Sequence, residues 1–422
     1  MTAEAIPREK HHAAFFRQSG WLMIANISGG ALMWAVHFLS RQVPKSEYGA
    51  FGAMLAIMMM VPALPLQMVF AQQTARALAA RREGELSGMI RLIWLATTLV
   101  WLVAFVVTVC FQGWLVEHWK LSSATGLWVT LPALLLTLWM PMFGGLLQGA
   151  QDFFCLGWTM ILNAVCRAGI AALLVFSVAA NAVGLMAGVL AGTAVAGSVA
   201  IWQTRSLWLA RPVRFDWRSL LRQVVPLMVG FAVFQFLFTG DIMFVKTYFT
   251  ESESAYYTSA GTLSRALMWL VMPLATVMFP KLVHSAAKSE KSNLMGMVLL
   301  GTAVLAACGA IGLTILGPFV VRIVFPADYV AEAARILPWY AWAMLPVALT
   351  NVLLNDLLAR GVYRVVLPLL VLAIGYGVAL TQFHESLTMV LQTLGLFALG
   401  ALGVCGWFSW RNPQPAGQPV QA

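Results

Sequence analysis

Charge is the first thing this chain is short of. Of its 422 residues, 26 are Lys or Arg and 16 are Asp or Glu, so charged residues make up only 10%. An ordinary soluble domain carries about 25%. Hydrophobic residues reach 61%, which leaves too little polar surface to face water. Cysteine is also scarce. Cys110, Cys155, Cys166, Cys308 and Cys405 lie within apolar segments or at their ends, with no CxxC pair and no neighbouring histidine. That argues against a zinc site or a disulfide framework and leaves buried free thiols as the expectation. Reaction chemistry is missing as well: the polar loops carry no P-loop, no paired carboxylates and no metal-ligand cluster. The longest expected outer loop, about 317–333, holds only Arg322, Asp328 and Glu332 as charged residues. A membrane glycosyltransferase, polymerase or ligase needs more than that, so the sequence points away from an enzyme. The opening MTAEAIPREKHHAAFFRQSGW is charged and has no small-residue cleavage site, so it reads as a cytoplasmic tail.

What the chain has is long apolar runs. Stretches of roughly 20 residues, enough to cross a hydrocarbon core of about 30 Å as helices, recur from end to end. Hydropathy and turn signals predict twelve helices: 18–40, 48–73, 90–112, 125–148, 157–179, 184–204, 223–245, 255–280, 294–316, 334–357, 365–382 and 387–410. Pro62, Pro65, Pro132, Pro141 and Pro273 fall inside them, as membrane helices tolerate when neighbouring groups satisfy the freed backbone. The expected class is an all-α polytopic membrane protein.

The positive-inside rule supports this layout. With both termini cytoplasmic, 18 of the 26 basic residues fall on the cytoplasmic side and 6 on the outer side. The remaining two, Arg167 and Arg265, lie inside helices. The net charge of +10 is therefore a matter of topology and of attraction to membrane lipids, and nucleic acid is not needed to explain it.

The sequence also repeats. FRQSGWLMI from Phe16 aligns with LRQVVPLMV from Leu221 at an offset of 205, which also places Arg41 on Lys246. After a shift of three residues Tyr48 falls on Tyr256 and Pro65 on Pro273, and QGAQD (148–152) aligns with RGVYR (360–364). Six helices per copy is an even number, so both copies start from the same side. That gives two six-helix lobes related by a pseudo-two-fold axis along the membrane normal, an arrangement that places cargo between lobes. The expected division is a tail over 1–17, an N-lobe over 18–204, a basic cytoplasmic linker over 205–222, a C-lobe over 223–410 and a tail over 411–422.

Ionisable groups within spans are expensive and suggest a transport path. Asp241 lies roughly 7 Å below the outer end of its helix and Arg265 roughly 13 Å down the next, so an ion pair is within reach. Arg167 sits deep in the fifth helix, with Asn163 one turn away on the same face. Guanidinium groups match phosphate oxygens bidentately and shed water readily. Arg167 and Arg265 are thus candidate anion ligands, joined by Asn163 and, near the outer mouth, by His37, Arg41 and Lys246. Bland alternatives stand beside these readings. Arg265 neutralises Asp241 and locks two helices, Arg41 and Lys246 snorkel, and His37 is a packing histidine.

FLSRQVPKSEYGAFGAM (38–54) resembles the start of helix 2 in the polysaccharide flippases of the MOP superfamily, the Wzx type. GDIMFVKTYFTESESAYYTSAGTLSRALMWLVMPLATVMFPKLV (240–283) resembles the start of their second lobe. Lipid II flippases of the same superfamily carry an Arg-Asp pair in helix 1, where this sequence has Ser, Gly and Ala around Asn26. The resemblance implies a MATE-like V shape in a bacterial inner membrane and a polyprenyl-diphosphate-linked oligosaccharide as cargo. The saccharide would be flipped outward by alternating access for O-antigen, capsule or exopolysaccharide assembly. The polysaccharide polymerase machinery is then the downstream partner. No cofactor is implied beyond a coupling H+ or Na+, for which Asp241 is the candidate. The alternative is a MATE-type cation-coupled multidrug antiporter.

Overall fold

The computed structural model describes residues 8–178, 181–268 and 294–412, and among them every regular element is helical. Eleven helical segments there are long and apolar enough to cross a membrane. The expected helix over 255–280 is described as a helix over 251–268, and its continuation lies outside the described residues. So do Pro273, Lys281, Lys288, Lys291, residues 1–7 and the tail from 413.

The helices are α1 (Arg8–Ala35), α2 (Lys45–Met59), α3 (Ala63–Ala79), α4 (Glu83–His118), α5 (Thr125–Gly149), α6 (Phe153–Ser177) and α7 (Ala182–Gln203). They continue as α8 (Arg205–Leu209), α9 (Trp217–Tyr248), α10 (251–268), α11 (Leu294–Val324), α12 (Val330–Ala359), α13 (Val366–Gln382) and α14 (Leu387–Arg411). Short 3-10 turns follow α1 (Val36–Arg41) and precede α12 (Ala327–Tyr329) and α13 (Tyr363–Val365).

Three expectations change. The single helix over 48–73 is broken between α2 and α3. Pro62 has no N–H to donate, its ring meets the carbonyl four residues back, and it pushes Val61 out of the helical region. The backbone at Pro62 accordingly has φ −76° and ψ 74°. The Met59 carbonyl freed by the break accepts a hydrogen bond from Gln235 Nε2 at 2.6 Å. The expected outer loop over 317–333 is mostly helix, because α11 runs through Pro318 to Val324. The apolar run VVRIV carries the helix on. The thiols also differ from expectation: all five are free, but only Cys405 is buried, while Cys110 and Cys308 face outward on apolar surface.

The chain separates into two compact units. Unit 1 comprises residues 1–47 and 61–224; unit 2 comprises 48–60 and 225–422. In unit 1, α6 packs along α7 and α3 along α5. Both contacts run over a small-xxx-small pair, which lets helix backbones approach closely without a hydrophobic driving force. A Cβ on Gly188 would lie 2.5 Å from the Arg167 carbonyl oxygen, and one on Gly145 2.5 Å from that of Gln67. α1 and α6 run side by side, with Trp21 against Phe154 and Trp158, and Gly29 against Met160. Residue numbers rise together along both helices, so the pair is parallel.

In unit 2, α12 packs against α11 and α14. α2 crosses α10 at Gly49 and Gly52, where an added Cβ would lie 2.9 Å from Ser254 Oγ and 2.6 Å from Thr258 Oγ1. These are the two segments that the Tyr48–Tyr256 repeat pairs, and within unit 2 they lie against each other. α4 shows the opposite character. Leu95, Leu99, Val100, Val103, Val106, Val107 and Phe111 are all exposed, a surface suited to hydrocarbon. This is a multi-pass integral membrane protein.

Candidate functional site

Unit 2 holds Asp241 and Arg265 in one buried knot. Asp241 on α9 is fully buried, and Arg265 on α10 is 5% exposed. Arg265 Nη2 donates to Asp241 Oδ1 at 2.8 Å and to Oδ2 at 3.1 Å. Its Nε donates to the Phe238 carbonyl at 2.9 Å. Tyr257 Oη donates to Asp241 Oδ2 at 2.7 Å, and Tyr340 Oη, from α12, donates to the same oxygen. The guanidinium carbon also lies 5.0 Å from the Tyr340 ring centre and 5.5 Å from that of Phe238.

This arrangement meets the conditions for burying a charge pair: direct contact, and hydrogen bonds for the remaining lone pairs and protons. Local sequence builds half of it. Tyr257, Gly261 and Arg265 recur every four residues and so share one face of α10. Gly261 leaves room for its neighbours, since a Cβ there would lie 2.5 Å from Arg265 Nη1 and 2.9 Å from Tyr340 Cε1. Tyr376 of α13 is an electrostatic neighbour of Asp241, and its buried hydroxyl has no hydrogen-bond partner among the described residues.

The expected Asp241–Arg265 contact is present. The tyrosines around it were missed. The spacing of Tyr257 from Arg265 was a usable signal, whereas Tyr340 is 99 residues from Asp241 in sequence and left none.

Unit 1 holds its arginine differently. Arg167 on α6 is 7% exposed. Its Nε has no hydrogen-bond partner, and it makes no ion pair among the described residues. α6 begins at Phe153, four residues before the expected start. Arg167 therefore lies 14 residues in, about 21 Å along the helix axis and about 15 Å from its C-terminal end. The parallel run of α1 and α6 brings the 3-10 turn onto α6. Eight residues beyond Gly29 and seven beyond Met160, His37 and Arg167 become electrostatic neighbours. His37 is 7% exposed. Asn163, one turn before Arg167, has a buried Oδ1 with no hydrogen-bond partner among the described residues. Close approach of α7 fixes this face of α6, since a Cβ on Gly192 would lie 2.6 Å from Asn163 Oδ1.

The other two candidates sit apart from these clusters in character. Arg41 is exposed at the end of the 3-10 turn. Lys246 is fully buried in the last turn of α9. No cluster of His, Cys, Asp and Glu able to hold a metal ion occurs among the described residues.

A family model described as "Lipid II flippase MurJ" matches residues 49–409. The chain belongs to the MurJ lipid II flippase family. This is a transporter family, not a family of enzymes. No curated protein matches the chain significantly in sequence.

Among solved structures, an inward-facing multidrug resistance MATE transporter of the MOP superfamily aligns with TM-score 0.69 at 14% identity. That alignment covers 92% of this chain and 94% of the other. A lipid II flippase MurJ in an inward closed conformation aligns with TM-score 0.68 at 14% identity, covering 94% and 88%. An outward-facing MATE transporter aligns with TM-score 0.61 at 13% identity, covering 94% and 95%. At these identities the likeness establishes the fold. The family model makes the chain a flippase of the lipid-linked class. The matching family is MurJ, although the first helix has no ionisable residue between Arg17 and His37.

Proposed function

We propose that this MurJ-family member carries a polyprenyl-diphosphate-linked oligosaccharide from the cytoplasmic to the outer leaflet of a bacterial inner membrane, supplying surface polysaccharide assembly. The observation that carries the reading is the contrast between the two deep arginines. Arg265 is neutralised by Asp241 and held by a backbone carbonyl. Arg167 is as deeply buried, without an anionic partner among the described residues. A buried cation without a counter-ion is costly unless something else supplies the charge, and a diphosphate does so with oxygens that fit a guanidinium.

In this reading the headgroup enters from the cytoplasm and the lipid tail stays in the bilayer. Outward movement of the anion is favoured by an inside-negative potential at about 2.3 kcal/mol per charge per 100 mV. Asp241 is the coupling group. A proton or sodium ion that reaches its carboxylate loosens Arg265, linking ion entry to rearrangement of α9, α10 and α12.

The absence of an ionisable pair in the first helix favours a surface oligosaccharide over the peptidoglycan precursor. The MATE-type antiporter reading rests on the shared fold alone. An organic cation needs a carboxylate to meet it, and Asp241 is already engaged by Arg265.

The test is deletion in the native host, followed by assay of lipid-linked saccharides on each membrane face. Accumulation of oligosaccharide-lipid on the inner face, rescued by wild type but not by Arg167→Ala, is expected. Accumulation of lipid II instead would move the cargo to peptidoglycan. Unchanged lipids with heightened sensitivity to organic cations would replace the reading with the antiporter.

A further inference from the structure

The first turns of α4 carry a polar face that the transport reading leaves unused. Gly84, Ser87, Gly88, Arg91 and Trp94 recur at spacings of three and four, so they lie along one side of the helix. Residues 208–215 of the basic linker run against that side. Arg91 donates from Nε to the Trp208 carbonyl at 3.2 Å and from Nη2 to the Ala210 carbonyl at 3.3 Å. Ser87 Oγ, on a fully buried residue, lies 2.8 Å from the Ala210 carbonyl and 3.1 Å from that of Trp208, and has one proton to share between them. Both carbonyls stand at the end of α8, where a helix leaves its acceptors unpaired. Further along, the Val213 amide donates to the Gly84 carbonyl at 3.0 Å, and the Trp208 ring meets Trp94 edge-on at 5.6 Å. The two glycines make room for this. A Cβ on Gly84 would lie 2.7 Å from Val213 Cγ2, and one on Gly88 3.1 Å from Phe215 Cδ1.

The strap leads straight into α9. Asp216 is the single residue between Phe215 and the helix, and it caps the helix: its Oδ1 accepts from the Arg218 amide at 3.1 Å. The Trp217 amide donates back to the Phe215 carbonyl at 3.0 Å. Leu220 and Val224 are then buried, and residues up to 224 belong to unit 1. The chain enters unit 2 at Val225, in the middle of a helix that continues to Tyr248. Beyond that point α9 packs on α12 and α13, since a Cβ on Gly230 would lie 3.1 Å from Leu358 Cδ1 and 3.3 Å from Val366 Cγ2. Pro226 stands at the crossing. It has no amide to give the Arg222 carbonyl, and its ring crowds that oxygen, so the helix is weakest there against bending. The crossing from unit 2 back to unit 1, between Met60 and Val61, likewise adjoins the break at Pro62.

We propose that residues 208–224 are a fixed arm of unit 1, strapped to α4, and that α9 bends at Pro226 when the two units move. The linker is then no slack tether. Its strap leaves Asp216 alone as connector, and Asp216 is itself tied into the first turn of α9, so motion passes through the arm to the proline. This division of labour holds whatever the cargo.

The test follows amide hydrogen exchange and spin-label distances in the full-length chain in lipid nanodiscs. Ser87→Ala combined with Arg91→Met removes the side chains that hold the strap. Exchange over 208–216 should speed up about tenfold or more, as loss of three hydrogen bonds does, with α9 beyond Pro226 exchanging as in wild type. Unchanged exchange over 208–216 would overturn the strap.

For distances, Glu83→Cys is paired with Arg222→Cys or with Arg364→Cys, the five native cysteines being replaced by alanine. All three positions are exposed, the first two in unit 1 and the third in unit 2. The Glu83–Arg222 separation should be single and narrow, and the Glu83–Arg364 separation broad or split. Pro226→Ala, which restores the missing amide, should narrow the second and leave the first as it was. The hinge is overturned if Glu83–Arg222 spreads as widely as Glu83–Arg364, if Glu83–Arg364 is already narrow in wild type, or if Pro226→Ala leaves it unaltered. The exchange measurement keeps the native cysteines and stands even where the labelled background does not fold.

Discussion

Replacing Asp241 with asparagine keeps the size of the side chain and removes the only anion that touches Arg265 among the described residues. In the wild type the carboxylate accepts two bonds from Arg265 Nη2, at 2.8 and 3.1 Å, and one each from Tyr257 and Tyr340. Asparagine can still accept from one tyrosine. It cannot neutralise the guanidinium, and it turns an amide N–H toward a donor. Breaking a buried pair on one side destabilises by about 3–5 kcal/mol, since the surviving charge stays buried and alone. Arg265→Met alone should fall in the same range, because it leaves Asp241 with two tyrosines and no cation.

Removing both charges is different. Asp241→Leu combined with Arg265→Met, in a background of Tyr257→Phe and Tyr340→Phe so that neither hydroxyl is left without its acceptor, restores an apolar interior, and such replacements are neutral or stabilising by about 1–4 kcal/mol. In that background the double variant should therefore be more stable than either Asp241→Leu or Arg265→Met alone, with a coupling of about 3 kcal/mol or more. Denaturant unfolding of purified protein in detergent, followed by tryptophan fluorescence, measures all corners of the cycle. Additive losses would refute the knot as described, because they would mean the two residues stabilise the fold independently. A loss below about 1 kcal/mol for Asp241→Asn would do the same.

Tyr257→Phe removes one hydrogen bond to a charged acceptor and should destabilise by about 1.5–3 kcal/mol in the same assay. Gly52→Leu should abolish assembly of unit 2, since even a Cβ there would lie 2.6 Å from Thr258 Oγ1; fluorescence-detected gel filtration would show loss of the monodisperse peak. Glu47, 8% exposed, accepts from the Ala182 amide at 2.8 Å at the start of α7. Glu47→Ala should destabilise by about 1–2 kcal/mol, seen as a lower unfolding midpoint. Residues 208–215 are strapped along the start of α4: Ser87 Oγ donates to the Ala210 carbonyl at 2.8 Å, and the Val213 amide donates to the Gly84 carbonyl at 3.0 Å. Gly88→Val crowds the Val213 carbonyl, 3.0 Å from a Cβ at that position, and should speed tryptic cleavage at Arg214.

Much of this molecule was legible in its residues. Span boundaries fall within a few residues of expectation at most positions; 125–148 became Thr125–Gly149 and 387–410 became Leu387–Arg411. Length and hydropathy are local quantities, and a bilayer imposes them residue by residue. The Asp241–Arg265 contact was legible for a related reason: two charges at similar depth on consecutive antiparallel helices have few other partners. Tyr340 was not. The segment 336–350 around it is apolar on every side, so no periodic polar stripe marks which face turns inward.

The sequence by itself determined the solvent, the number and order of spans, the repeat and the scarcity of reaction chemistry. Those properties depend on the composition of each segment and on nothing distant. Tertiary structure alone decided which buried charges are spent and which are available. Arg265 is satisfied because helices α9, α10 and α12 meet around it, and Arg167 is not because no carboxylate among the described residues pairs with it. Such outcomes turn on the rotation of each helix and the small residues that set how closely its neighbour approaches. Only the packed chain fixes those variables.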